Sequence, residues 1–112
     1  MTELAQRKCR PCDGGLEPLT RAVAEGLLAG LDPAWKLSSD AQSIRREFAF
    51  KDFYRTMSFV NAVAHVANIE AHHPDLQVGY DYCRILFTTH ALKGLSENDF
   101  ICAAKIDPIP LV

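Results

Sequence analysis

The stretch "EAHHPDLQVGYDYCRILFTTH", residues 70–90, decides how the chain folds. Pro74 cannot continue a helix, and the residue before a proline avoids helical geometry. The helix upstream therefore ends at His72 and His73. Beyond Pro74 the pattern predicts two strands joined by a tight turn at Asp81-Tyr82. On the second strand Cys83, Ile85 and Phe87 share one face, and Arg84, Leu86 and Thr88 share the other. His90 lies just past its end.

Working towards the N-terminus, Asp52 can cap a helix of about five turns reaching Glu70. Phe53, Met57, Val60, Ala64 and Ala67 form its expected apolar stripe, widened by Phe59, Val63 and Val66. Before it, "SIRREFAF" alternates, with Ile44, Arg46, Phe48 and Phe50 on one side; Arg46 is the flaw in that face. "SSDAQ" reads as the hairpin turn linking this strand to a short extended "WKL". A first helix is expected after Thr20, with Val23, Leu27, Leu28 and Leu31 as its stripe and Gly30 near its end. A last helix opens at Ser96, where Ser96 and Asp99 fit a capping box and Leu95 and Phe100 a hydrophobic staple. Hairpins dominate and no crossover repeat is present. The expected fold is α+β, a four-stranded antiparallel sheet with three helices packed on one face.

The 112 residues fit one domain, read as an irregular N-terminal tail over 1–17 and a single domain over 18–112. A formal charge of -2 argues against nucleic acid or an anionic membrane as the main partner. No apolar run approaches the roughly 20 residues of a membrane span, and "MTELAQRKCRPC" has no signal-peptide core. The expected location is cytoplasmic. Cys9 and Cys12 form a single Cys-x-x-Cys, short of the two pairs a zinc ribbon needs. They read as exposed thiols on the tail, with a metal half-site or a redox contact as the alternative. Cys83 and Cys102 read as buried packing residues.

Three histidines and a carboxylate fall at the ends of regular elements: His72, His73, His90 and Asp99. Element ends combine a rigid support with solvent access. Taken one at a time, each also has a structural explanation: dipole-favouring helix-end histidines, a loop histidine, a capping aspartate. His65, within the long helix, reads as a surface residue.

The spacing carries more than the single residues. His-His-Pro at 72–74, Tyr80, His90 and Asp99, with "EFAFKDF" at 47–53, "FVNAVA" at 59–64 and "THALKGLSENDF" at 89–100, resemble the pterin-4a-carbinolamine dehydratase family over residues 30–107. One position departs from the family pattern: Asn68 stands where a charged residue is usual, four places before His72. The resemblance implies a hydro-lyase that removes water from a 4a-hydroxytetrahydropterin to give the quinonoid dihydropterin, recycling the pterin of aromatic amino acid hydroxylases. It implies His72 and His90 as acid–base groups, His73 as a catalytic-site residue that binds and orients the pterin, and Pro74 and Asp99 as binding or orienting residues. Tyr80 reads as a structural aromatic. Histidine titrates near neutrality and can both donate and accept the protons involved, so neither cofactor nor metal is expected. The implied assembly is a homodimer or homotetramer, with Leu86 as a hint of the contact. Two other readings are weighed beside it: a zinc site built from the histidines and aspartate, and a non-catalytic dimerisation module acting on a protein partner.

Overall fold

The computed structural model describes residues 3–11 and 16–111. Its elements are α1 (Glu3–Gln6), α2 (Arg21–Leu28), β1 (Lys36–Leu37), β2 (Ile44–Ala49), α3 (Phe53–Glu70), β3 (Asp75–Val78), β4 (Tyr82–Phe87), a 3₁₀ turn (His90–Leu92) and α4 (Glu97–Ile106). The strands form one antiparallel sheet in the order β1-β2-β4-β3, as expected for the α+β class.

Alternation places the sheet's apolar face. Ile44 and Phe48 of β2 and Cys83, Ile85 and Phe87 of β4 are buried, while Arg45, Glu47 and Arg84 between them are exposed. Onto that face pack Phe59, Val63 and Ala67 of α3 and Phe100, Ile101, Ala103 and Ile106 of α4. Burying a side chain of the size of Phe87 is worth about 1.5–3 kcal/mol. Arg46 explains itself here. It points to the apolar face, lies over the Phe48 ring, and pairs with Asp107 beyond α4 at 2.9 Å. Asp107 also accepts the Trp35 indole N–H at 2.7 Å and the Asp32 backbone N–H at 2.9 Å.

Three local expectations need correcting. The β3–β4 turn is Gly79–Asp81, and Tyr82 already begins β4. A Cβ on Gly79 would fall 2.1 Å from the Tyr82 ring, so the turn closes at the one residue without a side chain. On α2, Val23 is exposed and Ala24 takes the core position. On α3, Phe53 is exposed and the buried seam is Thr56, Phe59, Val63, Ala67 and Glu70. The period is as expected and Phe59, Val63 and Ala67 belong to the expected stripe, but its centre is rotated towards Thr56 and Glu70. Thr56 can sit inside because its hydroxyl donates to the Asp52 and Tyr80 carbonyls at 2.9 Å.

The N-terminal segment is not simply an irregular tail. Residues 3–6 make one helical turn whose Leu4 is buried in the main core. Lys105 of α4 donates to the Ala5 carbonyl at 2.7 Å, and Arg7 pairs with Glu97. Cys9 is half-buried rather than exposed; Cys12 lies outside the described residues.

Candidate active site

The end of α3 sets the geometry. Ala71 adopts left-handed backbone angles (φ 53°, ψ 38°). The Ala71 N–H bonds to the Asn68 carbonyl, and the His72 N–H reaches back to that of Ala67 at 3.1 Å. This is a Schellman closure with alanine where glycine is usual. It turns the chain sharply and sends His72 inward while His73 stays exposed.

His72 stacks its ring parallel to Phe87 of β4, centroids 5.9 Å apart. Its Nε2 is 2.6 Å from Oδ1 of Asp99, which is fully buried. The other oxygen of Asp99 accepts the Thr89 hydroxyl at 2.8 Å and the Ser96 N–H at 2.9 Å. Asp99 thus orients a histidine and caps α4 at once. A carboxylate only accepts, so Nε2 of His72 is the donor in this pair, and whenever the ring is neutral its lone pair lies on Nδ1. His73 Nε2 bonds to Asn68 Oδ1 at 3.0 Å. The position where the family pattern usually carries a charge therefore still holds a histidine, through an amide.

His90 opens the 3₁₀ turn directly after β4 and is exposed. Its loop is closed by paired backbone bonds between Thr89 and Gly94, at 2.8 and 3.4 Å. A Cβ on Gly94 would approach the Pro18 ring to 2.7 Å. The three histidines line one open cleft of about 660 Å³, a size that suits a small heterocycle. Its other walls include Ile69 and Glu70 of α3 with the cap Ala71, Thr88 and Thr89, Asn98, and residues 8–11 of the N-terminal segment. Pro74 and Asp99 do not line it: Pro74 joins His73 to β3, and Asp99 stands behind His72. Tyr80 lies at the far end of the hairpin, exposed and stacked on Phe53. His65 is exposed on α3. Among the described residues, no three His, Cys, Asp or Glu side chains are grouped to hold a metal ion.

Several members of this site escape a sequence reading. Thr89 and Phe87 act through contacts that only the fold creates. Glu70 left a trace, an acid on the buried seam of α3. Its carboxylate accepts the Cys9 N–H at 2.8 Å and lies 3.8 Å from Lys105 Nζ. Burial pushes its pKa up, but the Cys9 N–H and the Lys105 and Lys8 ammonium groups outweigh that and hold it below the ordinary value. Arg10 donates its N–H to Asn98 Oδ1 at 3.0 Å and accepts from Asn98 Nδ2 at 2.6 Å. Residues 8–11 are thereby strapped across the cleft wall by one acid and one amide.

Comparison with known proteins identifies the family. A family model for pterin 4 alpha carbinolamine dehydratase matches residues 17–109. A protein of Nitrosomonas eutropha is 57% identical over 94% of this chain and 91% of its own length. One of Legionella pneumophila is 52% identical over 96% of each chain. Both are provisionally named pterin-4-alpha-carbinolamine dehydratase. A crystal structure described as a transcriptional coactivator/pterin dehydratase from Brucella melitensis matches with a TM-score of 0.75 at 30% identity, covering 80% of this chain and 95% of that one.

Proposed function

This chain belongs to the pterin-4-alpha-carbinolamine dehydratase family, and from that membership we propose that its histidine cleft dehydrates a 4a-hydroxytetrahydropterin to the quinonoid dihydropterin. The observation that supports this most directly is the His72–Asp99 pair at the wall of a cleft that His73 and His90 also line. The bond from C4a to its hydroxyl breaks as electrons move in from a ring nitrogen. One proton must reach the leaving oxygen, so that water departs rather than hydroxide. One proton must leave the nitrogen. A positioned acid or base contributes about 10²–10⁴-fold to such a step. His72 and His90 are the acid–base groups, both on the lining of the cleft. His73, held by Asn68, binds and orients the ring. Pro74 fixes the turn that aims the histidine pair, and Asp99 positions His72.

Membership also supports a link to an aromatic amino acid hydroxylase as the source of the substrate. Among the described residues no helix is long and apolar enough to cross a membrane, which is compatible with the proposed cytoplasmic setting. Leu86 is half-buried on the open sheet face between Arg45 and Asp75, its partners in register. That face is the proposed contact of a homodimer or homotetramer, to be checked by light scattering.

The test is a dehydration assay. The carbinolamine is generated in place, the protein is added with a chelator present, and the quinonoid product is followed by absorbance after subtracting spontaneous dehydration. Acceleration that disappears in His72→Ala and His90→Ala, with the fold intact, supports the proposal. A folded wild-type protein that gives no acceleration overturns it and leaves the reading as a module for a protein partner.

A further inference from the structure

Cys9 and Cys102 bring their sulfurs to 3.6 Å across the junction between the N-terminal strap and α4. Both are free thiols. Cys102 is buried, Cys9 is half-buried, and Cys9 is the member that lines the cleft. We propose that these two cysteines are a reversible thiol–disulfide pair that pins residues 8–11 as a fixed wall of the histidine cleft. The functional half of this inference rests on the dehydratase reading; the chemical half does not.

The geometry lies close to what a bond requires. A disulfide needs its sulfurs at about 2.05 Å, so they must approach by about 1.5 Å. The strap can supply that movement. It has no regular secondary structure, and its anchors include hydrogen bonds to Glu70 and Asn98. Cys102 cannot move, since it sits within α4. Cys9 Sγ also lies 3.7 Å from the Asn98 carbonyl, and Cys102 Sγ lies 3.9 Å from that of His72. The pair therefore bridges the strap to the element that carries Asp99 and touches the backbone of His72.

The electron balance needs an oxidant, and a hydroperoxide supplies it. The more accessible member, Cys9, reacts first. Cys9 sulfur attacks the distal oxygen, an S–O bond forms, the O–O bond breaks, and an alcohol or water leaves. Cys102 sulfur then attacks Cys9 sulfur. The S–S bond forms, the S–O bond breaks, and the hydroxide departs as water with the proton of Cys102. Two thiols lose two electrons and two protons, and the peroxide is reduced. Contact with Cys9, and then burial, raise the Cys102 pKa well above that of an ordinary thiol, which keeps it out of the first step. A small dithiol reverses the reaction.

A fixed strap is a pre-organised wall. Substrate then binds without first ordering residues 8–11, so the expected effect is on KM: about a threefold fall, with kcat unchanged because the histidines lie on other elements. The experiment treats the full chain with hydrogen peroxide in a Cys12→Ser background, which removes the neighbouring thiol. It reads non-reducing peptide mass maps, amide exchange at residues 8–11, and dehydration kinetics, before and after a dithiol reductant. A Cys9–Cys102 cross-linked peptide short of two hydrogens, slowed exchange over the strap, and a fall in KM, all reversed by the reductant and all absent in Cys9→Ser, support the proposal. Wild-type protein that joins Cys9 to Cys12 instead, or a cross-link that leaves strap exchange or KM unchanged in an active enzyme, overturns it. Cys102→Ala serves as the second variant; should it fail to fold, Cys9→Ser alone decides. A cross-link with slowed exchange in a protein that dehydrates no pterin keeps the pinned strap and rejects the dehydratase reading.

Discussion

His72 and Asp99 form a closed pair in which one carboxylate oxygen takes the imidazole Nε2 at 2.6 Å, and the other is occupied by Thr89 and the Ser96 N–H. The aspartate has no freedom to rotate away from the ring. Its role towards a reaction in the cleft is positional: it fixes which nitrogen of His72 holds the proton and which way the ring faces.

Asp99→Asn tests that role. The amide preserves shape and can still accept the Ser96 N–H, so α4 should keep its cap. It can also turn its NH₂ towards His72, which moves the imidazole proton to Nδ1. The expected result is a loss in kcat of about 10²-fold or more, with KM nearly constant. Nitrogen-correlated NMR of the His72 ring should show the change of tautomer. A normal tautomer with full activity would remove Asp99 from the site.

Ala71→Gly addresses the turn that aims the histidines. An L-residue with left-handed angles costs about 1–2 kcal/mol, and glycine returns part of any gain through its freer unfolded chain. A net stabilisation of about 0.5–1 kcal/mol is expected in urea unfolding. Activity should not change, since the hydrogen bonds at Ala67 and Asn68 are backbone bonds.

How much of this was legible depended on the range of the interaction. The caps at Thr20 and Asp52 are local chemistry and were readable, as was the alternation of β2 and β4. Phase was not: Val23 and Ala24, or Phe53 and Thr56, differ in which way the finished helix faces, and periodicity alone does not fix that. Arg46 stayed a flaw until Asp107, 61 residues away, stood beside it. Asp99 had two roles open because its tie to His72 spans 27 residues. The strap was least legible of all. Its anchors lie 61 and 88 residues away, so a local reading saw only polar residues.

Asp107→Ala should show what the Arg46 pair is worth. The side chains of the pair are 12% and 19% exposed. Removing the acid leaves a largely desolvated guanidinium with the more distant Asp32 carboxylate, 3.8 Å away, and also orphans the Trp35 indole N–H. Breaking such a pair costs about 3–5 kcal/mol when fully buried; partial exposure puts the expected loss near the lower end, about 3 kcal/mol by chemical denaturation. A loss no larger than that of an exposed surface ion pair would show that Asp32 or water takes over the charge of Arg46.

His65→Ala is the control among the histidines. His65 is exposed on α3 and does not line the cleft. Its removal should leave kcat and KM at wild-type values, whereas His90→Ala, also at an exposed position but on the cleft, should lower kcat. Equal effects of the two would show that the cleft is not where the chemistry occurs.

Glu70 gives a pH dependence with a definite sign. Its carboxyl is held below the ordinary value of 4.5, because the Cys9 N–H, Lys105 and Lys8 favour the charged form more than burial opposes it. A depressed carboxylate contributes stability that is fully present above its unfolded pKa and is lost as pH falls through the folded one. The strap should therefore be equally well docked at pH 5 and above, and should loosen only below the ordinary carboxylate range. Glu70→Gln retains an acceptor for the Cys9 N–H and loses the charge. It should be less stable than wild type near neutrality, and the two unfolding curves should converge as the solution is acidified. Amide exchange at residues 8–11 should follow the same course. A gap between the two proteins that stays constant from neutral pH into strong acid would show that the carboxylate charge does not hold the strap.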